Sequence, residues 1–326
     1  MLGLLTPSAL QPAQPVRCPR SVAVVTMQLF DGHQEKPFMP HPKILIQLDT
    51  DSQTSSFDSV VAVDAGVDHV LRYSSITPQN VVPIIHGAMF TRGGEALKNT
   101  AVFIGGSDIA AGEAVLRVVQ DTFYGPIRVS VMLDSGGCNT TATAAVLSAA
   151  THVPLAGTQA MVLAATGPVG ARVCRLLAGQ GAHVLAGSRR EDRASAVCNH
   201  IRESLPEANI TPVQLDSAER LQQALEGVQV VLSAGAEGIQ LLPLAVREAA
   251  TDLSVVIDLN AVPPLGIEGI EVHDRATSYG AAVCYGAIGV GGAKMKIHKA
   301  AVRSLFEGND LCLDAEEIFK LGQAGE

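Results

Sequence analysis

The segment from Gln159 to Gly170 constrains the fold of this chain more than any other. An apolar run, QAMVL, stops at a turn that contains Gly167, and a helical pattern follows. A strand, a glycine turn and a helix in this order begin a dinucleotide-binding βαβ unit, in which N–H groups at the helix N-terminus hold a pyrophosphate. The motif reads Ala165-x-Gly167-x-x-Gly170, so alanine replaces the usual first glycine. The alternative is a structural turn without a ligand.

The end of the next predicted strand indicates which nucleotide binds. His183–Ala186 leads into Gly187, Ser188, Arg189 and Arg190. NAD-binding units usually place an acid here for the ribose hydroxyls, whereas an arginine pairs with a 2′-phosphate. We therefore predict NADP as the cofactor, with NAD as an alternative. The other interpretation is a solvated helix start, because two acids follow.

Three later segments are expected to border the cofactor. The predicted strand Val228–Leu232 ends in small residues, which let the backbone approach a ligand closely. Val255–Ile257 precedes a loop with a double proline, and 285–294 is a glycine-rich stretch that we interpret as a flexible loop, with a helix starting at Lys294. The predicted cofactor-binding residues are Thr166, Gly167, Pro168, Val169, Gly170, Ser188, Arg189, Arg190, Ala234, Gly235, Asn260, Ile288 and Gly289.

The first half of the chain alternates predicted strands and helices, which predicts a parallel sheet with helical crossovers. The strands are Lys43–Leu48, Val67–Tyr73, Ala101–Ile104 and Arg128–Leu133, and one helix is expected to start at Thr77-Pro78. Ligands bind at the carboxyl ends of such strands, and three of these ends are polar. The predicted substrate-binding residues are Asp49, Thr50, Asp51, Ser107, Asp108, Asp134, Ser135, Asn139 and Thr140. The alternative is that they only cap helices.

The whole pattern predicts an α/β protein of two α/β domains, the second of Rossmann type, with C-terminal helices that return to the first. The expected boundaries are 1–42 for a disordered extension, 43–154 for the substrate domain, 155–294 for the NADP-binding domain and 295–326 for the C-terminal helices. A capping box of Asp314 and Glu317 is expected to start the last helix.

Composition argues against several classes of partner. The formal net charge is −9 and no basic cluster is longer than Arg189-Arg190, which argues against nucleic acid. No apolar run reaches the roughly 18 residues of a membrane span. The six cysteines form no C-x-x-C pair, and the nine histidines form no metal-binding motif. We therefore expect no metal site, no membrane partner and a cytoplasmic location.

The chain closely resembles the bacterial NAD(P)-dependent methylene-tetrahydromethanopterin dehydrogenases over roughly residues 43–321. Beyond the generic nucleotide loop, the resemblance rests on seven specific segments in order. They are DTD at 49–51, TRGG at 91–94, GGSDIAAGE at 105–113, MLDS at 132–135, NTT at 139–141, NA at 260–261 together with PPLG at 263–266, and GVGGAK at 289–294.

This resemblance implies a reaction and a set of partners. The family has two α/β domains around a cleft and oxidises a methylene pterin to its methenyl form by direct hydride transfer to NADP or NAD. The implied partner is the small-molecule pterin, and the family is oligomeric, so a homo-oligomer is expected. Lys294 matches a lysine that lies near the reacting carbons, which implies a catalytic role; the alternative is a solvated lysine near a helix start.

Hydride loss from an N–CH₂–N carbon needs no general acid or base, because the two nitrogens stabilise the cation. The protein's task is then to align the two carbons and exclude water. A methylene-tetrahydrofolate dehydrogenase with cyclohydrolase activity is a second candidate, but its expected Tyr–Lys pair is absent as a Y-x-x-x-K motif. A redox sensor that binds NADP is a third. The sequence leaves the choice of pterin and the number of subunits open.

Overall fold

A computed structural model describes residues 41–325, so most of the predicted extension lies outside the described residues. The strands of the described part are β1 (Ile44–Asp49), β2 (His69–Tyr73), β3 (Thr100–Gly105), β4 (Ser130–Leu133), β5 (Gln159–Leu163), β6 (His183–Ser188), β7 (Ile210–Gln214), β8 (Val230–Ser233), β9 (Val255–Asp258), β10 (Arg275–Tyr279), β11 (Ala282–Tyr285) and β12 (Cys312–Leu313). The helices are α1 (Ser56–Asp64), α2 (Val82–Phe90), α3 (Ile109–Thr122), α4 (Cys138–Ala150), α5 (Pro168–Gly179), α6 (Glu191–Ser204), α7 (Ala218–Ala224), α8 (Leu244–Ala249), α9 (Ala287–Ser304) and α10 (Ala315–Ala324). Within residues 41–325, no helix is long and apolar enough to cross a membrane.

The first sheet is parallel throughout, in the order β12-β4-β3-β1-β2. Every residue of β3 and β4 is buried, as expected for central strands covered on both faces. The chain winds outward in one direction from β1 to β2 and in the other from β1 to β3 and β4. This reversal creates a crevice at the carboxyl ends of β1 and β3, the place where open parallel sheets bind ligands.

The second sheet has the order β10-β11-β9-β8-β5-β6-β7, and all pairs except β10–β11 are parallel. Counted along the chain, the parallel strands follow the 3-2-1-4-5-6 order of a Rossmann sheet, whose nucleotide crevice lies between its first and fourth strands, here β5 and β8. The predicted α/β fold with a second Rossmann-type domain is confirmed. The antiparallel strand β10 at the edge was not predicted.

The chain returns to the first sheet at its C-terminal end. Helices α9 and α10 both pack on α4, and β12 adds a fifth parallel strand beside β4. A side chain at Gly322 would place its Cβ 2.6 Å from Leu147 Cδ1, so this glycine permits the close approach of α10 to α4. The predicted return of the C-terminal helices and the Asp314–Glu317 capping box are confirmed. Strand β12 was not predicted, because two residues carry no periodicity.

Asn139 connects three separate parts of the chain. Its buried side chain on α4 donates to Leu133 O (2.6 Å) and to Asp314 Oδ1 before α10 (2.9 Å). It also accepts a hydrogen bond from Arg172 Nε on α5, and Arg172 Nη2 pairs with Glu113 Oε1 on α3 at 2.8 Å. The buried Asn139 and Arg172 both have partners, so the cluster connects the two sheets and the C-terminal segment without leaving the buried guanidinium unpaired.

Several predicted boundaries are wrong. Strands β2, β4 and β8 each begin two residues later than predicted. Helix α2 begins at Val82 rather than at Thr77-Pro78, because Asn80 folds the preceding segment into a turn: its Oδ1 accepts from Thr77 N at 2.8 Å and its Nδ2 donates to Ser75 O at 3.0 Å.

The glycine-rich stretch before Lys294 is also different from the prediction. Helix α9 already begins at Ala287, so the expected flexible loop is helical. A Cβ at Gly286 would lie 2.0 Å from Glu271 O, and one at Gly289 would lie 1.7 Å from Asp274 O. These glycines let the start of the helix lie directly on the backbone that precedes β10.

Candidate functional site

A cavity of about 270 Å³ lies at the carboxyl ends of β1 and β3, in the crevice that the strand order creates. It brings together four residues that the sequence analysis had singled out separately: Asp49, Asp51, Ser107 and Lys294. The complete lining is Asp49, Asp51, Gln53, Ser55, Phe57, Asp58, Gly106, Ser107, Gly136, Gly137 and Lys294.

The loops after β1 and β3 are fixed by their own carboxylates. Asp49 is 1% exposed; its Oδ1 accepts from Asp51 N at 3.0 Å and its Oδ2 from Ser55 N at 2.9 Å. Asp51 in turn accepts from Ser107 N (3.0 Å) and Ser107 Oγ (2.9 Å) across the crevice. These hydrogen bonds fix both carboxyl groups in place, so the floor of the cavity is formed by acidic side chains.

Asp58, in the first turn of α1, is the most perturbed carboxyl group of the cavity. Its pKa is raised to about 6, mainly by burial; the carboxylates of Asp134 and Asp49 add to the rise, while Ser55 and Lys294 oppose it. A Cβ placed on Gly105 would lie 3.6 Å from Asp58 Oδ2 and 3.7 Å from Asp49 Oδ2, so the two acids converge on one point. A buried carboxyl group with a raised pKa beside a second carboxyl group is typical of functional sites.

Lys294 reaches the cavity from α9. Its Nζ lies 5.2 Å from the centre of the Phe57 ring, and a Cβ on Gly137 would approach that Nζ to 2.5 Å. Gly137 has φ of +63°, which favours glycine. Within residues 41–325 the Lys294 ammonium makes no ion pair.

His298 lies one turn after Lys294 and contributes no charge to the cavity wall. It is 1% exposed, its ring stacks on Phe103 with 5.6 Å between centroids, and both ring nitrogens lack a partner in the described part of the chain. Burial lowers the pKa of His298, and the Lys294 ammonium also lowers it. A neutral imidazole leaves Lys294 as the single cation of the lining.

The second candidate site is the turn from β5 to α5. Gly167 is the N-cap of α5, no side chain caps the helix, and Pro168 follows, so the first N–H groups point outward free of a side-chain acceptor. A Cβ on Gly170 would lie 2.4 Å from Ala164 O, so only glycine lets α5 lie this close to the turn. Ala234 O lies 3.6 Å from a Cβ position on Gly167, which places the end of β8 beside the loop. A helix N-terminus with this close approach fits the pyrophosphate of a dinucleotide.

The end of β6 presents its two arginines differently. Ser188 is buried, while Arg189 and Arg190 are exposed. Arg190 is engaged by the Asp192 carboxylate through Nε at 3.0 Å and through Nη2. Arg189 forms no ion pair within residues 41–325, so its guanidinium is the one available for an added phosphate.

Comparisons with known proteins identify both parts. Residues 56–136 match the family described as methylene-tetrahydromethanopterin dehydrogenase, N-terminal, and residues 164–260 match the NAD(P)H-binding family. The bifunctional protein MdtA of Methylorubrum extorquens is 44% identical over 283 residues, which are 86% of this chain and 98% of that protein. The NAD(P)-dependent methylenetetrahydromethanopterin dehydrogenase of the same organism is 30% identical over 277 residues, 82% of this chain and 93% of that protein.

This chain belongs to the methylene-tetrahydromethanopterin dehydrogenase family. Among solved structures, quinate dehydrogenase from Corynebacterium glutamicum in complex with NAD is 14% identical, with a TM-score of 0.49 over 87% of this chain and 99% of that one.

Six of the predicted substrate-binding residues do not line the cavity of this family member. Thr50 Oγ1 packs on Gly106, and Ser135 Oγ donates to Gly105 O at 3.3 Å. Asp108 caps α3 by accepting from Ala111 N at 3.0 Å. The other three are buried at the start of α4. Asp134 accepts from Asn139 N and from Thr140 N and Oγ1, and the amide of Asn139 donates to Asp314.

Some predicted cofactor-binding residues are likewise engaged within the protein. Asn260 donates to Pro264 O at 3.3 Å and accepts from Val262 N at 2.9 Å, so its amide shapes the double-proline loop. Gly289 packs on Asp274, while Ile288 next to it is exposed. Gly235 packs against Leu241, since a Cβ there would lie 2.7 Å from Leu241 Cδ1.

The alanine in the nucleotide motif is explained by packing. Ala165 is fully buried in the hydrophobic core and donates from its N to Gly187 O at 2.9 Å. The residue of the turn with positive φ is Ala164, at +59°. The methyl group of Ala165 therefore fills the core rather than the loop surface.

Asp58 is not among the predicted site residues, although the sequence carries a signal for it. Ser55-x-x-Asp58 before an apolar run is a capping-box pattern, in which the acid would bind the N–H of Ser55. In the structure Ser55 Oγ does accept from Asp58 N at 3.2 Å, but Ser55 N donates to Asp49 instead. The Asp58 carboxyl group is thereby released toward the cavity.

We predict that Asp58 makes stability depend on pH. Its pKa rises from 3.8 in a free side chain to about 6 in the fold, so the stability it contributes is present below pH 3.8 and is lost as the pH rises to about 6. Asn cannot ionise. The free energy of unfolding of Asp58→Asn should therefore exceed that of the wild type by about 1–3 kcal/mol at pH 7.5, and the two should be about equal at pH 4. Urea unfolding at both pH values measures this. The exposed control Asp121→Asn should show no such dependence, and an equal effect of Asp58→Asn at both pH values would contradict the assignment.

Proposed function

We propose that this protein oxidises methylene-tetrahydromethanopterin reversibly to methenyl-tetrahydromethanopterin by direct hydride transfer to NADP, with NAD as an alternative acceptor. The observation that carries the proposal is the course of α9. This helix starts at the carboxyl edge of the second sheet, where the nucleotide turn lies, and delivers Lys294 into the cavity at the carboxyl edge of the first. The names of the two Methylorubrum relatives support the same activity.

The charges of the cavity suit this reaction. Hydride loss leaves a cation shared by two nitrogens, and no proton has to be removed. The lining carries three carboxyl groups, Asp49, Asp51 and Asp58, against one ammonium group. An excess of fixed negative charge in a partly buried site stabilises a cation that develops in the transition state.

Lys294 has a positioning task in this scheme, since an ammonium group repels the forming cation. Its Nζ is held between the Phe57 ring and Gly137, where it can donate a hydrogen bond to a carbonyl or ring nitrogen of the pterin. Asp58 and Asp49 can accept from the amino and amide N–H groups of the pterin ring. Donors and acceptors on opposite walls orient the methylene carbon.

The chain's own residues fit NADP at the β5–α5 turn. The α5 N-terminus would hold the pyrophosphate and Arg189 the 2′-phosphate. The nucleotide supplies the hydride acceptor when bound. The protein's contribution is to hold it against the cleft and to keep the two sheets in a fixed relation through Arg172 and Asn139.

An initial-rate assay with methylene-tetrahydromethanopterin and methylene-tetrahydrofolate, each with NADP and NAD, tests the proposal directly. We expect the highest kcat/KM with tetrahydromethanopterin and NADP. Preference for tetrahydrofolate would favour the folate dehydrogenase, and turnover of neither pterin with intact NADP binding would favour the redox sensor.

We also propose that the protein is a cytoplasmic homo-oligomer that acts in the one-carbon oxidation of a methylotroph. Its described cysteines are free, as suits a reducing compartment. Four exposed apolar residues surround the β2 edge of the first sheet: Val60 and Val63 on α1, and Leu71 and Tyr73 on β2. Such a surface is typical of an interface.

Light scattering should give a molar mass that is a multiple of 33.9 kDa, and Val60→Glu should lower that mass. Ile239→Glu at another exposed apolar site is the control, and a monomeric wild type would contradict the proposal.

We predict that Lys294→Ala lowers kcat/KM for the pterin by roughly a hundredfold, the scale expected for about 1 Å of misplacement. The Kd for NADP should change little, because the lysine lies in the pterin cavity. Lys296→Ala, an exposed lysine on the same helix, is the matched control. If Lys294→Ala kept the wild-type kcat/KM, Lys294 would be only a solvated helix residue and the positioning role would be wrong.

We predict that Arg189→Ala raises the KM for NADP by roughly tenfold to a hundredfold and leaves that for NAD nearly unchanged, since one charge-assisted contact to a phosphate is lost. Exposed Arg193 on α6 provides the control variant Arg193→Ala. A loss of equal size with both nucleotides would show that Arg189 does not select the 2′-phosphate.

A further inference from the structure

A second cavity, of about 380 Å³, lies at the amino ends of the parallel strands of the Rossmann sheet, whereas the nucleotide turn lies at their carboxyl ends. Leu253 in its wall precedes β9, Ala282 begins β11, and Tyr279 ends β10, so the cavity faces the amino ends of the parallel strands. The nucleotide turn follows the carboxyl end of β5. This cavity is therefore separate from both parts of the site described above.

A buried guanidinium group forms the polar wall of this cavity. Arg247 on α8 is 9% exposed, and its Cζ lies 5.4 Å from the centre of the Tyr279 ring. Its Nη1 donates to Gly269 O at 3.3 Å. Gly269 has φ of +75°, and a Cβ there would lie 3.2 Å from Arg247 Nη2, so a glycine is needed beside the guanidinium. The aromatic ring and the carbonyl together hold the group in one orientation.

No carboxylate within residues 41–325 pairs with Arg247. Glu268 accepts instead from Gln240 Nε2 (2.9 Å) and Leu244 N (2.8 Å), and Asp274 accepts from Glu271 N (2.8 Å). Burial of a cation without a counter-charge is unfavourable, so this guanidinium has unfilled capacity for an anion.

The remaining wall is chemically suited to the body of an organic ligand. Leu253, Ala250 and Ala282 supply apolar surface, and Thr251 supplies a hydroxyl at the rim. Cys284 also faces the cavity, and burial raises the pKa of its thiol to about 11. The thiol is therefore uncharged at neutral pH and neither competes with an anion nor neutralises Arg247.

We propose that this cavity binds a small organic anion, whose carboxylate or phosphate group pairs with Arg247 and whose apolar part lies against Leu253 and Ala282. Arginine binds both kinds of group through two parallel hydrogen bonds, which fixes the orientation of the ligand as well as its affinity. Glu248 in the same lining repels a negative charge placed near it, so the anionic group of the ligand belongs at the Arg247 end.

Calorimetric titration of the full chain tests this, with NADP at saturation so that the nucleotide site is filled. Benzoate and phenyl phosphate serve as the charged probes, and benzamide is the uncharged analogue. We expect measurable binding of at least one charged probe and none of benzamide; the stronger of the two shows whether the site prefers carboxylate or phosphate. Binding of benzamide equal to benzoate, or of no charged probe at millimolar concentration, would overturn the proposal.

Two variants locate the binding. Arg247→Gln should raise the Kd for the charged probe by roughly tenfold to a hundredfold. The control Arg117→Gln removes an exposed arginine of the first domain and should leave this Kd unchanged. Because loss of a buried arginine can prevent folding, Ala281→Phe at the exposed turn before β11 provides a second route, since its ring would fill the mouth of the cavity. Undiminished binding in either folded variant would place the anion elsewhere.

Discussion

The relation between the two sheets depends on one buried amide. Asn139 lies at the start of α4 and binds the end of β4, the arginine of the nucleotide-binding helix and the aspartate that begins α10. Each partner belongs to a different stretch of the chain. Removal of the amide would leave the buried Nε of Arg172 without its acceptor and would take one of the donors from Asp314, so this neutral side chain connects three parts of the structure.

The candidate site shows how charge is arranged around hydride transfer without acid–base chemistry. Asp49 is held in place by backbone donors, burial raises the pKa of Asp58 to about 6, and burial lowers the pKa of His298. The same helix that begins beside the nucleotide end of the second sheet carries the lysine into the first. A single helix thus connects the carboxyl ends of the two sheets.

The sequence predicted what depends on local pattern. The βαβ order, the nucleotide turn and the Asp314 capping box follow from periodicity and short motifs, and all are present. Local pattern did not predict features that depend on contacts between residues far apart in the sequence. The N–H of Ser55 donates to Asp49 rather than to Asp58, and the glycines at the start of α9 allow that helix to pack on the backbone of Asp274. Asp134 and Asn139 match polar strand ends, yet the N-terminal amides of α4 and residues far along the chain engage them.

Strand β12 has a consequence for the order in which the protein can assemble on the ribosome. Its two residues complete the edge of the first sheet, but they are synthesised only after the whole Rossmann sheet. The Rossmann domain is thus an insertion, which can fold while the edge of β4 is still unpaired. Helices α9 and α10 and strand β12 follow it in the chain and pack onto α4 and β4. A nascent chain of this topology leaves the β4 edge of the first sheet exposed until these segments are made, so that edge is the part most in need of protection during synthesis.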